Sequence, residues 1–219
     1  MEAIERYITS NDLLTIIILL VLLLLAVAKT LFSNRFEDFI SLASSGKYLV
    51  IKSKEYKLLF GFNVLMLTAH ILSVSLFVFL TFRLFTTQTL DSSGNLLLRI
   101  ITAYSFIVLL KITVEKIIAN VFDIDEIMDT YIFQKQTYLN FISLIIFGLS
   151  LFLVYSNIPS LPLFYLIIGL ILIALLYILY AIVKKNLRLI SRFWFYFILY
   201  LCALEIAPYV VLYKLITKY

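Results

Sequence analysis

A run of 48 residues without a charged side chain, from Gln136 to Val183, constrains the fold of this chain more than any other feature. The run is interrupted only by Asn157-Ile-Pro-Ser-Leu-Pro162, a segment typical of a turn. A helix needs about 20 apolar residues to cross the hydrocarbon core of a bilayer, so the run predicts two membrane-spanning helices joined by a tight turn. Lipid is therefore the solvent for much of this chain.

The overall composition agrees with a membrane protein. Hydrophobic residues make up 63% of the chain, charged residues make up 14%, and the mean hydropathy is +1.08. This composition excludes a soluble globular protein. The aqueous loops are too short for a second folded unit, so residues 1–219 are predicted to form one membrane domain. A single cysteine, Cys202, excludes an intrachain disulfide and a cysteine-based metal site.

The hydropathy pattern predicts an all-α, polytopic membrane helix bundle with about six transmembrane helices. The predicted spans are 13–32, 58–82, 96–122, 138–155, 163–183 and 190–216. The first span could be taken for a signal peptide cleaved after Ala28. The segment before it carries Glu2, Glu5 and Asp12 against a single Arg6, whereas a signal peptide begins with a basic region. We therefore expect the first span to be retained.

The distribution of basic residues predicts the orientation, because cytoplasmic loops are enriched in lysine and arginine. The basic residues of the loops after spans one and five are Lys29, Arg35, Lys47, Lys52, Lys54 and Lys57, and Lys184, Lys185, Arg188 and Arg192. The loop after span four has no charged residue. Alternation then places both termini outside the cytoplasm. The loop after span three is acidic, but acidic residues contribute little to this rule.

The first cytoplasmic loop contains a short amphipathic pattern. Phe36, Phe39, Ile40 and Ala43 recur at helical spacing. The nearby lysines favour anionic lipid, so the pattern predicts a short helix lying in the membrane interface. We interpret this helix as a membrane anchor, with a partner-binding site as the alternative.

Ionisable and polar side chains inside the predicted spans form the main candidate site. A charge at the centre of a bilayer costs about 2.5–3.5 kcal/mol on insertion scales, so such groups face the bundle interior and find partners. Lys111 and Glu115 are four residues apart and can pair on one face of a helix. Helical rise permits one buried polar cluster, whose members are Asn63, His70, Lys111, Glu115 and Glu205. Pro208 predicts a kink beside Glu205, because proline lacks the amide hydrogen of a helical bond.

The acidic segment after span three is a second candidate. Its carboxylates are Asp123, Asp125, Glu126 and Asp129. Asp125-Glu126-Ile-Met-Asp129 resembles the aspartate-rich pattern with which membrane prenyltransferases hold Mg²⁺ and a diphosphate. Those enzymes carry a second acidic cluster, and the sequence shows none. We therefore favour a solvated helix end or docking surface over a metal site.

Other templates of catalysis are absent from the sequence. There is no phosphate-binding loop, no Gly-x-Ser-x-Gly and no His-Glu-x-x-His, so no catalytic residue and no cofactor is predicted. The basic residues cluster in two loops, which indicates contact with a membrane surface. Aromatic residues reach 16% but have no basic groove among them, which argues against nucleic acid.

The sequence also resembles a known family. Phe197-Ile-Leu-Tyr-Leu-Cys-Ala-Leu-Glu-Ile-Ala-Pro208 is similar to the closing motif of bacterial inner-membrane proteins that share a domain of unknown function. Further likeness lies in the segment from Phe62-Asn63 through His70 to Phe79, in Lys111, and in Phe133-Gln-Lys-Gln-Thr-Tyr-Leu-Asn140. The resemblance covers about residues 40 to 216 and implies a bacterial inner-membrane location. It implies no activity.

These observations predict a non-catalytic integral membrane subunit or accessory factor in cell-envelope biogenesis or secretion. Its partners are the lipid bilayer and either a membrane protein or a lipid-linked substrate. One alternative is a small proton-coupled transporter that uses the buried His, Lys and Glu cluster. Another is a polyprenyl- or lipid-phosphate enzyme with an acidic, Mg²⁺-binding loop. The sequence leaves the substrate and the oligomeric state open.

Overall fold

Helices account for the part of the chain that the structure describes. The structure, a computed structural model, describes residues 12–41, 61–85, 93–121 and 125–155, together with Tyr165, 167–171 and Ile173. The helices with complete bounds are α1 (Asp12–Leu31), α2 (Ser33–Ile40), α3 (Gly61–Phe85), α4 (Ser93–Val121) and α5 (Asp125–Tyr155). No strand occurs within these ranges. The predicted all-α class is confirmed.

Four of the described helices are long and apolar enough to cross a membrane: α1, α3, α4 and α5. The first three agree with predicted spans to within a few residues. The fourth does not, because α5 begins at Asp125 and its apolar stretch at Met128, whereas the predicted span begins at Tyr138. Polar residues 134–137 had been assigned to a loop, but they continue the helix. The predicted spans 163–183 and 190–216 lie largely outside the described residues.

Helix α3 occupies the centre of the described bundle and contacts α1, α4 and α5. Its sequence is apolar around the whole circumference, as a helix surrounded by others requires. Of its membrane-spanning window, 56% is buried, compared with 6% for α4. Ala69 and Ser73, one turn apart and both buried, are small enough for neighbouring helices to approach closely. Among the described helices, α4 is therefore the least covered, whereas α3 organises their common core.

The chain bends sharply between α1 and α2. Phe32 leaves the helical conformation (φ −133°, ψ 49°), and its carbonyl accepts the amide hydrogen of Phe36 at 2.9 Å. The bend turns α2 across the first turn of α3. A Cβ on Gly61, the first residue of α3, would lie 3.2 Å from the ring of Phe32. Gly61 thus permits the close approach of the bend to α3.

Phe39 is the most buried contact of helix α2 with the bundle. Phe39 is only 1% exposed, and its ring makes edge contacts with Phe62 of α3 at 6.2 Å and with Phe141 of α5 at 5.9 Å. Glu37 and Ile40 face outward. The short amphipathic helix predicted after the first span is confirmed, and its apolar side packs on protein.

Candidate polar site between α3, α4 and α5

His70 of α3 is hydrogen-bonded to both α4 and α5. Its Nδ1 lies 3.2 Å from the backbone carbonyl of Leu139 in α5, and its Nε2 lies 3.0 Å from the hydroxyl of Tyr104 in α4. A carbonyl only accepts, so Nδ1 donates. A neutral imidazole with that tautomer can accept from the Tyr104 hydroxyl at Nε2. Both ring nitrogens are satisfied, and the ring is 4% exposed.

Glu115 of α4 and Lys135 of α5 form a buried ion pair. The lysine Nζ lies 2.5 Å from Glu115 Oε1. The Lys135 side chain is 9% exposed and the Glu115 side chain is 1% exposed. The ammonium also lies 5.7 Å from the ring centroid of Tyr131, one turn earlier on α5. The pair bridges two helices that run in opposite directions. Its burial means that each charge is stabilised mainly by the other.

Helix α5 carries an unusual buried polar segment. Every residue from Tyr131 to Thr137 is buried, so the helix is covered on all sides over nearly two turns. The Thr137 hydroxyl donates to the carbonyl of Phe133 at 2.7 Å, and Gln136 Nε2 donates to Asn140 Oδ1 at 3.0 Å. Buried polar groups of this kind are stable in a bundle when they are hydrogen-bonded.

A groove of about 490 Å³ opens beside this segment. The residues that line it come from α3, α4 and α5: Asn63, Val64, Leu67, Leu109, Ile112, Thr113, Lys116, Ile117, Asn120, Phe133, Gln136, Thr137 and Asn140. On α3 these positions fall in the first two turns, within about 10 Å of its first residue. The groove therefore lies near one end of the membrane-spanning part of α3.

The described carboxylates of the acidic segment are exposed. Asp125 is exposed at the start of α5, and Asp129 forms an ion pair with Lys116 of α4 at 3.7 Å, with side-chain exposures of 57% and 44%. Asp123 and the side chain of Glu126 lie outside the described residues. Within the described ranges, no group of three or more His, Cys, Asp or Glu side chains is placed to hold a metal ion.

His70 and Glu115, two members of the predicted cluster, make separate contacts. His70 and Glu115 are both buried in the interface of α3, α4 and α5, but no hydrogen bond joins them. Asn63 is half-buried and lines the groove, and Lys111 is half-buried on α4. Glu205 and the kink predicted at Pro208 lie outside the described residues.

Sequence reasoning missed the partner of Glu115. The spacing within α4 points to Lys111, one turn earlier, and gives no sign of Lys135 of α5, whose ammonium is bound to the carboxylate in the structure. Lys135 had been placed before the fourth span and therefore in water. The available signal was the polar segment Gln134-Lys-Gln-Thr137 directly before an apolar run, which indicates a polar face inside a bundle.

Comparison with known proteins identifies the family. A family model described as a domain of unknown function (DUF4271) matches residues 14–216. Neither a curated protein nor a solved structure matches the chain. The match spans most of the chain and includes every helix of the polar site. The chain therefore belongs to the DUF4271 family of domains of unknown function.

Proposed function

We propose that this protein is a non-catalytic integral membrane subunit or accessory factor. We assign it to a bacterial inner membrane, with both termini in the periplasm and a role in cell-envelope biogenesis or secretion. The family match and four apolar helices support the membrane assignment. The basic loops support the orientation.

One observation carries the proposal: the buried ionisable groups are bound to partners within the protein. Glu115 is bound to Lys135, and both nitrogens of His70 are occupied by Tyr104 and Leu139. A catalytic or proton-relaying group has to reach a substrate or water. These groups instead tie three helices together, as expected for side chains that specify one packing arrangement.

The surfaces left for a partner are at the ends of the helices. The apolar side of α2 is occupied by its contacts with α3 and α5, so this side is not open to a partner. The start of α5 carries exposed carboxylates at Asp125 and Asp129. Charged groups at the membrane surface, where water screens them, are suited to reversible docking of another protein.

The two alternative functions have less support. A proton-coupled transporter would need an open path to its titratable groups, and the lining of the groove contains none of His70, Lys111 and Glu115. A lipid-phosphate enzyme would need its metal-binding carboxylates in the groove. Asp125 and Asp129 do not line it.

The direct test is affinity purification of the tagged chain from native membranes in a mild detergent, with quantitative identification of proteins and lipids. We expect a membrane or peripheral protein to be recovered in stoichiometric amount. Asp125→Asn combined with Asp129→Asn should reduce its recovery without lowering the amount of the chain itself. Asp12→Asn is the control. Asp12 is an exposed carboxylate at the start of α1, and the predicted topology places it on the other side of the membrane from Asp125 and Asp129.

Recovery of the chain without any stoichiometric protein would refute the subunit proposal. If the variant with both Asp125→Asn and Asp129→Asn recovers the partner unchanged, the subunit proposal stands, but docking through the acidic segment is refuted. Loss of a proton-dependent transport activity in Tyr104→Phe, at wild-type protein abundance, would favour the transporter instead.

A further inference from the structure

The groove between α3, α4 and α5 has a polar floor with unused hydrogen-bonding capacity. Gln136 and Asn140 are 9% and 4% exposed, and both line the groove. One hydrogen bond joins these two side chains, in which Gln136 Nε2 donates to Asn140 Oδ1. Among the described residues, the amide nitrogen of Asn140 has no hydrogen-bond partner. It is not a fully buried atom, so it can donate to a group or a water bound in the groove.

The described part of the groove lining carries one charged side chain. That side chain is Lys116, and no carboxylate of the described residues lines the groove. Asp129 contacts Lys116 from outside the lining, but both side chains are about half exposed, and such pairs contribute little. An ammonium group together with carboxamide donors from Asn120 and Asn140 suits the oxygens of a phosphate group.

The walls of the groove are apolar. Val64 and Leu67 form one side, and Leu109, Ile112 and Ile117 form the other. The volume of about 490 Å³ is within the range of pockets that bind whole organic ligands and is much larger than a phosphate ion. A ligand with a phosphate at one end and a hydrocarbon chain at the other would match both parts of the groove.

We propose that this groove binds the phosphate headgroup of an anionic membrane lipid, with the hydrocarbon chain lying along the walls formed by α3 and α4. The position of the groove in the first two turns of α3 supports a lipid as the source of the phosphate, because headgroups lie at the ends of the membrane-spanning segments. This inference goes beyond the proposed function and does not depend on it.

The test uses the purified full-length chain, reconstituted in nanodiscs that contain equal amounts of phosphatidylcholine and phosphatidylglycerol. After extraction into mild detergent, native mass spectrometry counts the lipids retained by each chain. We expect wild type to retain phosphatidylglycerol selectively. Val64→Trp fills the groove and should abolish this retention. Val78→Trp is the matched control, because Val78 is on the same helix, is similarly exposed (43% against 46%) and does not line the groove.

A second pair of variants tests the role of charge. Lys116→Gln should lower the preference for phosphatidylglycerol by about fivefold, which corresponds to about 1 kcal/mol for one lysine at an anionic surface. Arg99→Gln is the control, because it removes an exposed positive charge near the other end of α4, outside the groove, and should have no effect. Both changes are at exposed positions, so both variants should fold.

Three results would overturn the inference. One is equal retention of the two lipids by wild type. Another is undiminished retention of phosphatidylglycerol by Val64→Trp. The third is displacement of the retained lipid by millimolar inorganic phosphate, which would identify a soluble phosphate compound as the ligand.

Discussion

Replacement of Glu115 by leucine should destabilise the protein severely. The change leaves the ammonium of Lys135, whose side chain is 9% exposed, without its buried counter-charge. Removing one partner of a buried ion pair costs about 3–5 kcal/mol, because the remaining charge stays desolvated. The structure places this pair against Tyr131 in a buried segment of α5, so water has little access. We therefore expect a loss of about 3–5 kcal/mol in the free energy of unfolding.

The assay is unfolding in mixed micelles of a mild detergent and SDS, followed by the helical circular dichroism signal. Glu115→Leu, Lys135→Met and the double variant form a double-mutant cycle. The double variant should be more stable than either single variant, because it leaves no buried charge. Lys116→Gln provides the control. It alters the next residue on α4, whose ion pair with Asp129 is exposed, and should cost less than about 1 kcal/mol.

Two outcomes would refute this reasoning. If Glu115→Leu is as stable as Lys116→Gln, the carboxylate is not the buried counter-charge of Lys135. If the losses of the two single variants add in the double variant, the two side chains do not interact, and the polar contact between α4 and α5 is misassigned.

Three further predictions concern other buried contacts, all measured by the same unfolding assay. Tyr104→Phe should cost about 1–3 kcal/mol, because His70 Nε2 loses its buried partner, whereas Thr102→Val, at an exposed hydroxyl of the same helix, should cost little. Phe39→Ala should cost about 3–5 kcal/mol and expose α2 to protease, and an equal loss for the exposed Ile40→Ala would contradict the aromatic anchor. Ser75→Ala should be neutral or stabilising, because the buried Ser75 hydroxyl has no hydrogen-bond partner within the described part of the chain. Ser73→Ala instead removes a bond to the carbonyl of Ala69, and the reverse order of stability for the two serine variants would contradict the structure.

The sequence was sufficient to predict the membrane helices where apolar residues run without interruption. Helices α1, α3 and α4 lie where the hydropathy pattern placed them, because the length of a span is set by the thickness of the bilayer. The amphipathic spacing of Phe36, Phe39 and Ile40 likewise predicted α2. These features depend on short-range pattern alone.

The start of α5 could not be predicted in this way. On a hydropathy scale, Gln134, Lys135 and Gln136 are hydrophilic, so the predicted span begins after them. In the bundle they are buried, and their polar atoms have protein partners such as Glu115 and Asn140. Whether a polar segment lies in a loop or inside a bundle depends on which helices surround it, and that is a property of tertiary packing.

The sequence predicted that residues of the candidate site are buried, but it did not predict which side chains they contact. The cost of a charge in lipid indicated that His70 and Glu115 face inward, and both are buried. Their partners depend on the rotation and vertical offset of α4 and α5 relative to α3. Spacing within one helix favoured Lys111 as the partner of Glu115, because it carries no information about a lysine on the neighbouring helix.

The most direct test of the account is the membrane topology, measured with a membrane-impermeant thiol reagent in intact cells. Single cysteines replace Asp12, Asn34, Arg83 and Asp129, which are exposed or half-exposed near the ends of the described helices, in a Cys202→Ser background. We expect positions 12 and 83 to react from outside, and positions 34 and 129 to react only after the cells are opened. Reaction of positions 12 and 129 from the same side would contradict the alternate crossing of α1, α3 and α4 on which the buried polar contacts depend.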